Sequence, residues 1–264
     1  MEIHDWCVRI LSADTLEEKL LSPPLLTDKT PGSAILWDTP SRPIGMEFKK
    51  HSRKEKLPVL HELNNVDKRA VCLHRFAGHE LLAVEIMAYA LLAFPNAPKH
   101  FRKGLANTLK EEQEHVKLYT QRLLEMGVKF GDMPLYKHFW AYTKFLHTPL
   151  EYLSVMSLTF EMANLDFAPV YEKIFTQHDD IASALLMRRI YEDEISHVSF
   201  GFNWLNKMKA PEESSWDCWR NHTPSLLPVA RAKGSPFLEE PRIRAGVPED
   251  WILKLKKAKY DTKN

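Results

Sequence analysis

Hydrophobic positions recur every three or four residues along four long stretches between residues 66 and 209, the spacing of amphipathic α-helices. The first runs from about Asp67 to Phe94. At about 100° per residue, Leu73, Phe76, Glu80, Val84, Met87, Leu91 and Phe94 fall within about 40° of one line, so Glu80 sits inside an apolar stripe. Glu85 is turned about 140° from Glu80 on the same helix and faces elsewhere. Pro95 and Pro98 break the pattern, and a second helix is predicted from about Lys99 to Met126, closed by Gly127. Its stripe is Leu105, Leu109, Glu112, Val116, Tyr119, Leu123 and Met126, with His115 at the edge.

The third stretch, about Leu150 to Thr176, carries Glu161 in its interior, and Pro169 predicts a kink. The small residues Ser154, Ser157 and Ala168 around Glu161 fit either close helix packing or a cavity for a small molecule. After a turn at His178, Asp179 and Asp180, the fourth helix spans about Ile181 to Lys209. Its stripe holds Met187, Ile190, Glu194, Val198, Gly201, Leu205 and Met208, with His197 alongside.

Outside these helices the pattern weakens. Residues 1–22 predict a short helix, because Ser12, Asp14, Thr15, Glu17 and Glu18 resemble a helix start. Recurrent prolines from Pro23 to Pro58 predict an extended arm, and an aromatic linker over 128–149 precedes the third helix. Residues 210–264 read as an irregular tail with a short helix at 249–257. The expected organisation is thus an N-terminal arm (1–65), a four-helix bundle (66–209) and a C-terminal tail (210–264), both flanks lying on the bundle.

Composition narrows the partners. A formal net charge of +1 supplies no general attraction to nucleic acid or membrane surfaces. The basic run KKHSRKEK over 49–56 lacks interleaved aromatics and reads as a solvated face. Cys7, Cys72 and Cys218 form no CxxC pattern, so neither a disulfide framework nor a zinc site is indicated, and a reducing cytoplasm is the expected setting. The N-terminus lacks a signal-peptide pattern. The longest apolar run, Leu81 to Phe94, contains Glu85 and is too short to predict a membrane span.

The chemistry lies in the charged residues that interrupt the stripes. Burying an uncompensated carboxylate costs several kcal/mol, so Glu112 and its counterparts need a partner. Glu112 with His115, and Glu194 with His197, stand three apart on a helix and so share a face. Glu80 lies fifteen residues before the Pro95–Pro98 turn and Glu112 fourteen after it, while Glu161 lies eighteen before Asp179 and Glu194 fifteen after. In antiparallel helices, equal distance from the turn means equal height. Glu80 is therefore expected to face Glu112 and His115, and Glu161 to face Glu194 and His197. Four carboxylates and two imidazoles at one level nearly neutralise two divalent cations, and oxygen and imidazole ligands suit Fe or Mn.

The pattern Glu, Glu-x-x-His, Glu, Glu-x-x-His resembles the ferritin-like superfamily of di-iron carboxylate type. The stretches HRFAGHELLAVEIMAYALLAF, FGDMPLY, FEMANLDFAP and YEDEISHVSFG resemble a family of ferritin-like bacterial proteins with a domain of unknown function. That resemblance implies an all-α, ferritin-like four-helix bundle with metal ligands Glu80, Glu112, His115, Glu161, Glu194 and His197. It implies two Fe ions, with Mn or a mixed Fe/Mn pair as alternatives, and places Glu111 and Asp193 where a ligand histidine is oriented. Tyr119 matches the place of the radical tyrosine in ribonucleotide reductase small subunits, though its stripe position suits plain core. The implied activity is that of an oxygenase or hydroxylase acting on dioxygen and a small organic substrate, with electrons from a separate reductase. A metal-storage or ferroxidase protein without organic substrate, and a non-catalytic helical scaffold, are the competing readings. No membrane or nucleic-acid partner is expected, and an oligomer is compatible with the sequence.

Overall fold

The computed structural model describes residues 1–49 and 56–259, so positions 50–55 of the basic run lie outside the described residues. Those residues are all-α: no strand occurs among them, only two isolated bridges, Glu2 to Thr27 and Phe48 to Leu135. The chain divides into two compact units, Met1–Lys144 and Phe145–Asn264. The arm therefore belongs with the first pair of long helices and the tail with the second.

In the first unit, α1 (Ile3–Ser12) and the one-turn α2 (Leu16–Lys19) replace the single N-terminal helix expected from sequence. Thr15 starts α2 by accepting from Glu18 N at 3.3 Å, as an N-cap does. Helix α3 (Val66–Ala93) starts where Asn65 Oδ1 accepts from Asp67 N at 2.7 Å, and α4 (Lys99–Glu125) returns alongside it. Gly127, at φ +76°, closes α4 in the left-handed region that favours glycine. Arg102 ties this hairpin together: its Nη1 donates to Leu91 O (2.6 Å) and Phe94 O (3.0 Å), buried carbonyls at the end of α3 that the helix itself leaves without a partner. Its charge is met by Asp28 of the arm at 3.0 Å.

By length and composition α3 could cross a membrane, which its longest unbroken apolar run had not suggested. Yet 89% of its most apolar window is buried in the protein, as in the core helix of a folded domain. It is covered in part by α1, whose Ile3, Trp6, Cys7, Ile10 and Leu11 are buried.

In the second unit, Pro149 and a reciprocal cap between Thr148 and Glu151 open α5 (Pro149–Tyr152). The chain then widens into a π-helix over Leu153–Glu161 before resuming as α6 (Met162–Gln177). Helical geometry continues through Pro169, so the departure from α-geometry lies a few turns earlier than the proline suggested. Asp179, at φ +54°, makes the turn, and Asp180 caps α7 (Ile181–Met208) by accepting from Ser183 N.

The tail is more ordered than its sequence suggested. It forms α8 (Ser215–Asn221), a 3-10 turn at Val229–Ala232, α9 (Glu240–Arg244) and α10 (Glu249–Lys257), of which only the last was predicted. Arg242 and Asp166 are fully buried and paired at 2.8 Å. Asp166 also accepts from Gly234 N (2.8 Å) and Leu238 N (2.7 Å), which fastens the tail to α6. Rings of Trp216, Trp219, Trp251 and Phe202 stack edge-on or tilted beside α7.

Candidate metal centre

The first hairpin brings together three of the predicted residues. Ligand atoms of Glu80 on α3 and of Glu112 and His115 on α4 all lie within 4.8 Å of one another, and all three side chains are buried. His115 Nδ1 is 3.2 Å from Glu112 Oε2 and 3.8 Å from Glu80 Oε2. Burial holds the Glu80 carboxyl well above the usual carboxylate range; neighbouring Glu112 adds to this and His115 opposes it. Two carboxylates and an imidazole in this space form an oxygen and nitrogen donor set suited to a divalent cation of the Fe or Mn kind.

Glu85 makes the contrast. It is as deeply buried on the same helix, but Lys19 Nζ at 3.1 Å and Arg42 Nη2 at 2.5 Å neutralise it. Its rotation away from Glu80 thus gives it a structural ion-pair role.

The second hairpin has its own register. Ser157 sits against Gly201, where an added Cβ would meet Ser157 Cβ at 2.4 Å. Asn164 Nδ2 donates to Glu194 Oε1 at 2.9 Å. Seven residues forward on one helix correspond to seven residues back on the other, so Glu161, four after Ser157, stands level with His197, four before Gly201. Glu161 and His197 are each eighteen residues from Asp179, and Asn164 and Glu194 are each fifteen. Counting from the turn therefore pairs Glu161 with the histidine of the Glu194 and His197 pair expected opposite it. His197 Nδ1 lies 3.7 Å from Glu194 Oε2, so both Glu-x-x-His motifs turn Nδ1 toward their own glutamate. The backbone contact at Gly201 also decides between the two meanings of the small residues: at Ser157 they serve close packing.

Asn164 was not singled out from sequence. Its signal was a polar residue one turn after Glu161, and it became meaningful only with the register of α7. Of the residues placed near the ligands, Glu111 is exposed, and Asp193 is half-buried with Arg189 Nε at 2.6 Å. Tyr119 is buried edge-on to Phe76 at 6.2 Å between ring centres, as a core aromatic is. The three cysteines are free and buried, and burial pushes the Cys72 and Cys218 thiols up to about 12, far from reactive thiolates.

A family profile described as a protein of unknown function (DUF455) matches residues 7–253. The chain is also similar to an uncharacterized protein of Haemophilus influenzae, 27% identical over 147 residues, 53% of this chain and 51% of that protein. It thus spans about half the length of the curated relative it matches. No solved structure matches the chain.

Proposed function

The chain belongs to the DUF455 family, and we propose that it is a ferritin-like di-metal oxidoreductase holding two Fe ions, with Mn or a mixed pair as alternatives. The ligands are Glu80, Glu112 and His115 from one hairpin and Glu161, Glu194 and His197 from the other. Four carboxylates and two imidazoles drawn from two helical hairpins are the ligand set with which carboxylate helix bundles hold a metal pair. When bound, that pair supplies the activation of dioxygen for oxidising or hydroxylating a small organic substrate, with electrons from a separate reductase. A reducing cytoplasm is the proposed setting.

The single observation that carries this is the difference between Glu80 and Glu85. Both are buried on α3; Glu85 is neutralised by Lys19 and Arg42, while Glu80 is set against a second acid and an imidazole. A divalent cation offsets that burial cost as Lys19 and Arg42 do for Glu85. The chain's own contribution is then to fix the donors. Asn164 holds one oxygen of Glu194 in place, and among the described residues nothing donates a hydrogen bond to the other, Oε2, which is left to a cation. Glu111 and Asp193 are the candidates for orienting the imidazoles.

Metal analysis of the purified chain, with an optical spectrum before and after oxygen, tests the assignment. Two ions per chain and an oxygen-dependent spectral change are expected. A mineral core formed by the Fe(II)-loaded chain without organic substrate would assign storage instead. A stoichiometry near zero leaves only a helical scaffold.

A further inference from the structure

We propose that Trp219 and Thr159 are positioning residues for Glu161, holding in place the π-helical segment that ends on it. The proposal rests on Glu161 being a metal ligand, as argued above. Among the described residues, Leu153–Glu161 is the one π-helical stretch, and its bonding is shown by Met162 N, which donates back five residues to Ser157 O. Such wide turns are rare inside α-helices and collect at functional sites.

A specific set of buried groups sustains this one. Thr159 Oγ1 donates to Ser154 O at 2.7 Å, also five residues back. A threonine within an α-helix bonds a carbonyl three or four residues back instead, so this bond belongs to the wider turn. Trp219 Nε1, from α8 of the tail, donates to the same Ser154 O at 3.1 Å and to Thr159 Oγ1 at 3.3 Å. Ser154, Thr159 and Trp219 are all excluded from water, where a lost hydrogen bond leaves a polar group unsatisfied. The indole is itself held by the rings of Trp216 and Trp251 at 5.1 and 5.3 Å.

The consequence falls on Glu161. An α-helix has fewer residues per turn than a π-helix, so relaxation of the segment to α-geometry swings Glu161 to another angle about the axis and away from its height opposite His197. The tail, which carries none of the six ligands, thereby sets the direction of one of them.

Co(II) binding and its visible spectrum, measured on the full apo chain, give a readout that does not depend on turnover. Thr159→Val keeps the branched shape and removes the hydroxyl, and Trp219→Phe keeps an aromatic ring and removes the donor. Each is expected to weaken Co(II) binding about tenfold, the usual scale for losing support behind a ligand, and to change the visible bands while far-UV circular dichroism stays at the wild-type level. Thr159→Ser restores both. If Glu161→Gln binds weakly but Thr159→Val and Trp219→Phe match the wild type in affinity and spectrum, the clamp is wrong and the metal site stands. If the wild type binds no Co(II), or Glu161→Gln binds as well as the wild type, the metal assignment itself falls and the clamp with it. Thr159→Val decides the matter should Trp219→Phe fail to fold.

Discussion

Asn164 and Glu194 lie opposite one another, each fifteen residues from Asp179, joined by a 2.9 Å hydrogen bond from the amide to Oε1. The amide fixes one carboxylate oxygen and so sets where the other points. Asn164→Ala is expected to weaken Mn(II) binding about tenfold with helicity unchanged, measured by equilibrium titration. Wild-type affinity in that variant would show that Glu194 needs no such support.

Two acids on α3 should respond oppositely to removal. Glu80→Ala lowers the metal content, as does His197→Ala on α7. Glu85→Ala leaves the metal content nearly intact but strands Lys19 and Arg42 in the core, at a cost of about 3–5 kcal/mol. Metal analysis beside urea unfolding separates the two effects. Loss of metal in Glu85→Ala with retention in Glu80→Ala would reverse the assignment of these residues.

Gly201 is required by contact rather than by backbone conformation. In Gly201→Ala the new Cβ overlaps Ser157 Cβ at 2.4 Å, and the helices must separate, costing about 1–3 kcal/mol. Placing Ser157→Gly in the same chain should recover much of that loss, read from urea midpoints of the single and double variants.

His74 gives a pH dependence. Its Nε2 accepts from Gly131 N (3.0 Å) and Met133 N (3.3 Å), which only the neutral ring can do at that atom. Burial, with Arg75 adding to it, holds its pKa down to about 4. Since the folded value lies below the unfolded value of about 6.5, the contribution is whole above pH 6.5 or so and is lost as pH falls toward 4. The window is worth about 3 kcal/mol at about 1.4 kcal/mol per unit. The stability advantage of the wild type over His74→Gln should shrink across it in denaturant titrations, and a pH-independent difference would show that His74 does not titrate there.

Periodicity, proline breaks and the spacing of charged residues on apolar stripes were enough to locate the four long helices and to set Glu80 apart from Glu85. These are local properties: a 3.6-residue repeat and a buried charge can be read without knowing the neighbours. Tertiary structure alone supplied Lys19 and Arg42 as the partners of Glu85, because they come from segments more than forty residues away whose pairing leaves no periodic trace. It also supplied the contact of Ser157 with Gly201 that fixes the register of the second hairpin, and the π-helix, whose Ser154 and Thr159 bond an indole from a tail with helices too short to show a hydrophobic repeat. Direction along a helix is written in the chain; what stands opposite is decided by packing.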